Sequence, residues 1–267
     1  MNICVCIKQV PDTNEIKVDP VTHTLVRKGV PSIVNPFDTY AQEVGVRLKE
    51  KLGGKVVVIS MGPEQAKEAI KTCLSVGADA GYLISSRKFG GSDTLATSYI
   101  LSEAIKAVEE KEGLKFDLIL CGKQAVDGDT AQVGPQISEH LGIPVISYAQ
   151  EIQIDGDSVI VKRQYDDRYH MLKAKMPCLI TALSELNEPR YMTPGGIFDA
   201  YKKEITVWGR KDLKDVLDSN LGLKGSPTQI AKASDKVRKG AGVKETNLDP
   251  SAAANYIVEK LTEKHVL

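Results

Sequence analysis

Nothing in this 267-residue chain is both long and apolar enough to cross a bilayer, and neither sign of charge prevails: 35 basic and 35 acidic residues cancel. Membrane insertion is therefore not expected. Without a basic excess there is no electrostatic reason to expect nucleic acid or an anionic membrane surface as partner. Zero net charge also gives little protection against self-association, which is tolerable in a chain that lives in a complex. The opening "MNICVCIKQV" lacks the basic region and the cleavage site of a signal peptide. It is read as a first strand, and the protein as cytoplasmic.

The five cysteines form no Cys-x-x-Cys pair and no cluster with histidine, so a zinc or iron–sulfur site within the chain is not expected. Cys4 and Cys6, two apart in a strand, share one face, and all five are read as reduced, buried thiols. There is no Gly-x-Gly-x-x-Gly turn and no P-loop lysine motif, which removes the usual NAD and NTP fingerprints. The four histidines are scattered, none beside a plausible nucleophile, so no hydrolytic constellation stands out.

What the chain has is alternation. Apolar strands at "ICVCIK", "KVVVIS", "AGYLIS", "FDLIL" and "PVISYA" are separated by helical patterns. The first helix starts at Asn35 and Pro36 and stops at Gly53-Gly54. A second is opened by Pro63, a third runs from about Thr94 to Glu112, and a fourth from about Thr130 to Leu141. Between the first strand and first helix, residues 15–36 read as an excursion of short strands and turns. Such alternation predicts a doubly wound parallel sheet, placed at residues 1 to about 150. From Glu151 the period becomes two, with a hairpin signal at Asp155-Gly156 and more strand through "HMLKAKMPCLITAL". The tail from Tyr201 is lysine-rich, ends in a helix capped by Asp249-Pro250, and is too poor in apolar residues to make its own core.

Open α/β sheets bind ligands outside the carboxyl ends of their strands. Here those ends carry Lys8-Gln9-Val10-Pro11, Ser60-Met61-Gly62-Pro63, the segment to Gly90-Gly91-Ser92-Asp93-Thr94, and Cys121 to Thr130. Two of these lead into helices headed by Asp or Thr, whose N-termini suit a phosphate. The N–H groups of Thr130 to Val133 are the candidate anion donors. Asp127 and Asp129 would repel a phosphate at short range, and fit better as acceptors for ribose hydroxyls or as helix caps. Turn and cap chemistry without a ligand is the competing reading of each loop.

Six motifs carry a resemblance: "IKQVPD" at 7–12, "NPFD" at 35–38, "GP" at 62–63, "GKQAVDGDTAQVG" at 122–134, "VKRQYDD" at 161–167 and "LNEPRYM" at 186–192. The chain resembles the beta subunits of electron transfer flavoproteins, a group that includes the Fix-type proteins. The resemblance implies a heterodimer with an alpha subunit, and a site for AMP or, in bifurcating members, FAD. Its nucleotide site would comprise Cys6, Asn35, Pro36, Phe37, Asp38, Met61, Gly62, Gly122, Lys123, Gln124, Asp127, Gly128, Asp129, Thr130, Ala131, Gln132 and Val133. The loop at 184–200 would recognise an acyl-CoA dehydrogenase-like acceptor through Asn187, Glu188, Pro189, Arg190, Tyr191, Met192 and Pro194. There the chain departs from mitochondrial-type members: Pro194-Gly195-Gly196 stands where they carry a leucine.

"FGGSDTLATS", at 89–98, resembles the bifurcating and Fix-type members and adds Asp93, Thr94 and Thr97 to the site. FAD is thus expected over AMP, with NADH as electron donor and ferredoxin or flavodoxin as low-potential acceptor. No side chain is expected to act as acid or base catalyst. The expected architecture is α/β: a doubly wound, mainly parallel, Rossmann-like sheet of the adenine-nucleotide-binding type. A nucleotide domain fills 1–200, with its parallel core at 1–150, a β addition at 151–183 and the recognition loop at 184–200. The C-terminal arm, 201–267, is expected to pack on the partner subunit.

Overall fold

The computed structural model describes residues 1–12, 31–228 and 240–267. Most of the expected excursion at 15–36 falls outside the described residues. In chain order the elements are β1 (Asn2–Ile7), β2 (Gln9–Pro11), β3 (Ser32–Val34), α1 (Pro36–Leu52), β4 (Lys55–Met61), α2 (Lys67–Ser75), β5 (Ala80–Ile84) and α3 (Thr94–Glu112). There follow β6 (Leu118–Gly122), α4 (Val133–Leu141), β7 (Val145–Asp155), β8 (Ser158–Gln164), β9 (Tyr169–Lys175), β10 (Cys178–Ala182), α5 (Pro194–Lys202), β11 (Ile205–Trp208) and α6 (Pro250–Glu263).

Nine strands make one sheet in the order β11-β5-β4-β1-β6-β10-β7-β8-β9, parallel from β11 through β7 and antiparallel across β7-β8-β9. The doubly wound architecture is as expected, because β1 alternates its contacts. Ile3 and Val5 pack towards α1 and α2 on one face, while Cys4 and Cys6 pack towards α3 and α4 on the other. Being apolar on both faces is what a central parallel strand requires. Each fully buried aliphatic side chain in these two layers contributes about 1.5–3 kcal/mol relative to exposure.

Two boundaries differ from expectation. The parallel core does not stop at 150: β7 runs unbroken through that point, and β10, assigned in sequence to a β addition, lies between β6 and β7 and is parallel to both. The segment expected from 201 as an arm on the partner subunit is in part built into this chain's own fold. β11 extends the sheet beside β5, and Leu213, Val216 and Leu221 are buried against the α3 face. Beyond it, α6 buries none of its residues.

Candidate functional site: a cleft across the strand ends

A cleft of about 980 Å³ opens across the carboxyl ends of β1, β4, β5 and β6. β1 lies at the switch point, since the chain winds outward through β4 and β5 on one side of it and through β6 and β10 on the other.

The floor is fixed by Asp38. Its carboxylate accepts from the N–H of Lys8 at 2.7 Å and of Gly122 at 2.9 Å, so the ends of β1 and β6 are pinned to the first turn of α1. Burial pushes the Asp38 carboxyl up to about 7, against the opposing pull of these hydrogen bonds. Gly122 allows the approach: a Cβ there would lie 2.5 Å from Asp38 Oδ1 and 2.6 Å from the Phe37 backbone. Asn35 was expected to cap α1, but its side chain makes no cap bond. Instead Nδ2 donates to Gln124 O at 2.8 Å, and Oδ1 accepts from Val126 N–H at 3.1 Å, tying down the loop after β6. Cys6 and Cys121 are register partners on β1 and β6 and line the floor. A hydrogen bond to Cys4 together with burial raises the Cys6 thiol, and burial raises Cys121, so both are protonated packing groups. All five cysteines are buried and free.

The loop after β6 departs from the helical reading. α4 starts at Val133, not at Thr130, because Asp129 and Ala131 hold left-handed φ values of 56° and 53°. A left-handed residue followed by right-handed Gln132 turns successive N–H groups to one side, the geometry of an anion-binding nest. Among the described residues, the N–H groups of Thr130 to Gly134 donate to no protein oxygen, and all five residues line the cleft. The anion donors expected at Thr130 to Val133 are therefore placed by the nest as well as by a helix terminus.

The opposite wall is the loop after β5. Asp93 caps α3, accepting from Ala96 N–H at 3.0 Å through one oxygen, while the other accepts from Thr228 N–H at 3.1 Å and its hydroxyl at 2.7 Å. Burial opposes ionisation of Asp93, but these donors hold its carboxyl below the usual range. Thr94 Oγ1 donates to Gln132 Oε1 at 3.2 Å, bringing the two loops together, and Thr97 lines the same wall.

Of the residues expected from sequence, Cys6, Asn35, Asp38, Met61, Gly62, Asp93, Thr94, Thr97, Gly122, Lys123, Gln124 and Gly128 to Val133 line the cleft. Pro36, Phe37 and Asp127 do not. Pro36 and Phe37 form the first turn of α1. Asp127 turns inward, its carboxylate 4% exposed and paired with Lys8 at 2.5 Å, so it does not stand ready for a ribose hydroxyl. Asp129 accepts from the Gln124 side chain at the rim. Lys8, which follows β1 and was placed at a strand end without being assigned to the site, lines the cleft, as does Arg87 in the loop after β5, which was missed. Ser226, also missed, supports the wall by accepting from Asp93 N–H at 2.8 Å across 133 residues.

The residues expected to recognise a partner divide into anchors and an exposed edge. Asn187 Nδ2 donates to Tyr40 O, Arg47 donates to Glu188 O, and the Arg190 guanidinium bonds Glu43 and Glu50. Burial works against ionisation of Glu43, yet Arg190 and Arg47 outweigh it and keep the carboxyl below its usual range. Pro189 sits within this braced segment, while Tyr191 is 95% exposed and Met192 48%. Pro194-Gly195-Gly196 opens α5, capped by Thr193, whose hydroxyl accepts from Gly196 N–H at 3.1 Å.

The family described as "Electron transfer flavoprotein domain" matches residues 22–213. "Electron transfer flavoprotein subunit beta" of Clostridium acetobutylicum is 49% identical over 267 residues, all of both chains. "Caffeyl-CoA reductase-Etf complex subunit CarD" of Acetobacterium woodii is 47% identical over 268 residues, again all of both. "Protein FixA" of Azotobacter vinelandii is 42% identical over 99% of this chain and 96% of that protein. The strand-end cleft and full-length similarity lead to one conclusion: the chain belongs to the electron transfer flavoprotein family, among its beta subunits.

Proposed function

We propose that the cleft holds FAD and that this chain serves a bifurcating electron transfer flavoprotein. The observation that carries the reading is the joined pair of loops: the unpartnered N–H groups of Thr130 to Gly134 continue, through Gln132 and Thr94, into the wall formed by residues 85–97. A mononucleotide needs the first loop, whereas a dinucleotide also needs the second. The cleft volume of about 980 Å³ sits at the upper end of the roughly 300–1,000 Å³ usual for small-molecule sites.

Thr130 to Gly134 would cradle pyrophosphate oxygens, Asn35 and Asp38 hold the floor rigid, and Thr94 and Thr97 offer hydroxyls to the rest of the ligand. When bound, FAD supplies exchange between two-electron and one-electron chemistry, here from NADH to two acceptors. One acceptor is a ferredoxin or flavodoxin. The other is an acyl-CoA dehydrogenase-like enzyme reached through an alpha subunit's FAD, a choice supported by the caffeyl-CoA reductase complex in the CarD relative's name. The exposed Tyr191 edge would dock that enzyme, and α6, with no buried residue, would lie on the alpha subunit.

AMP is the second reading. It is favoured by Asp93, whose two oxygens are both occupied as in an ordinary helix cap. Replacing Thr94 and Thr97 together by Leu separates the two. The double variant, purified as the heterodimer, should lose about one flavin per heterodimer and its NADH oxidation while keeping the alpha-subunit flavin. Full flavin content and parental NADH oxidation would reduce the wall to a helix cap.

A further inference from the structure

We propose that Arg87 holds the second phosphate of a nucleoside diphosphate unit in the cleft and so separates dinucleotides from AMP. The inference rests on the cleft being the nucleotide site, as argued above.

Charge balance within the cleft leads to it. Glu64, Asp93 and Asp129 line the walls, and Asp38 lies in the floor. A single phosphate can be held by the N–H groups of Thr130 to Gly134 alone. A second phosphate among these carboxylates needs a cation, because repulsion in a partly desolvated cleft is otherwise uncompensated. Three cations line the cleft. Lys8 is paired with Asp127 at 2.5 Å. Lys123 lies over the rings of Phe37 and Tyr148, 5.5 and 5.9 Å from their centroids. Arg87 alone of the three has no ion pair, side-chain hydrogen bond or ring contact among the described residues. Its neighbours are engaged: Lys88 pairs with Asp218 at 2.5 Å, and Arg210 pairs with the same carboxylate at 2.6 Å.

Position agrees with charge. Arg87 follows β5, two strands from β1, a spacing of about 10 Å across the sheet. That is a step beyond the mononucleotide floor. The Thr94–Gln132 bond at 3.2 Å brings the same loop against the nest, so a second phosphate leaving the nest meets the Arg87 wall. A guanidinium offers the paired donors that phosphate oxygens take best.

The test uses the heterodimer stripped of nucleotide and titrated calorimetrically with AMP, ADP and FAD, as parent, Arg87→Gln and Arg87→Lys. ADP affinity should fall about ten- to hundred-fold in Arg87→Gln, the loss expected for a charge-assisted bond. AMP affinity should stay within about twofold, and Arg87→Lys should recover part of the ADP loss. Unfolding temperatures should match, since Arg87 is exposed and its side chain has no partner to lose. A parent that binds ADP and a glutamine variant that binds it equally well would overturn the Arg87 assignment and leave the FAD reading standing. Equal losses for AMP and ADP would also overturn it. A parent that binds AMP but neither ADP nor FAD would overturn both.

Discussion

Asp38 links the floor of the cleft to its pH behaviour. Its carboxyl is pushed up from an ordinary 3.8 to about 7, chiefly by burial. At acid pH it is protonated in folded and unfolded chains alike. Between pH 3.8 and about 7 the unfolded chain releases this proton and the folded chain keeps it, so this group's contribution to stability falls as pH rises, and above about 7 the penalty is complete. Asn at this position cannot ionise. The melting temperature of the parent, measured against Asp38→Asn, should therefore lose ground steadily from pH 4 to pH 7, groups common to both chains cancelling. A difference independent of pH would mean the carboxyl is not perturbed. Sequence placed Asp38 in the site but could not give this role. The two N–H groups it accepts belong to Lys8 and Gly122, 30 and 84 residues away, and no local pattern pairs them. The same holds for Asp127, whose burial against Lys8 depends on a contact 119 residues distant.

At the scale of elements, local signals fixed what local chemistry controls. α3 spans the expected residues because Asp93 caps it and Gly113, at φ 62°, ends it. α4 begins later than its pattern, because two non-glycine residues in left-handed backbone are invisible to periodicity. β10 was read as strand, but its place between β6 and β7 is a matter of topology. The "NEPR" signature is chiefly a brace on α1. Arg190 spans buried Glu43 and exposed Glu50 with a planar fork that lysine cannot reproduce. Arg190→Lys should cost about 1–2 kcal/mol in urea unfolding and speed hydrogen exchange in residues 187–193. Unchanged exchange would mean the segment holds its position without the fork.

Over the whole molecule, nine strands from β11 to β9 share one sheet, and the segment from 201 adds β11 to its edge. Leu213, Val216 and Leu221 pack on the α3 face, and Ser226 and Thr228 bond Asp93, so the arm's first part helps build the wall of the cleft. Composition alone underrated this segment, because three well-placed apolar residues on an existing core suffice where a separate core would not. α6 beyond it buries no residue, and under the proposal that it lies on an alpha subunit the decisive experiment uses the heterodimer. Nucleotides released from the purified heterodimer by denaturation should be counted by chromatography against protein. FAD in this cleft predicts two FAD and no AMP per heterodimer; one FAD with one AMP would contradict it.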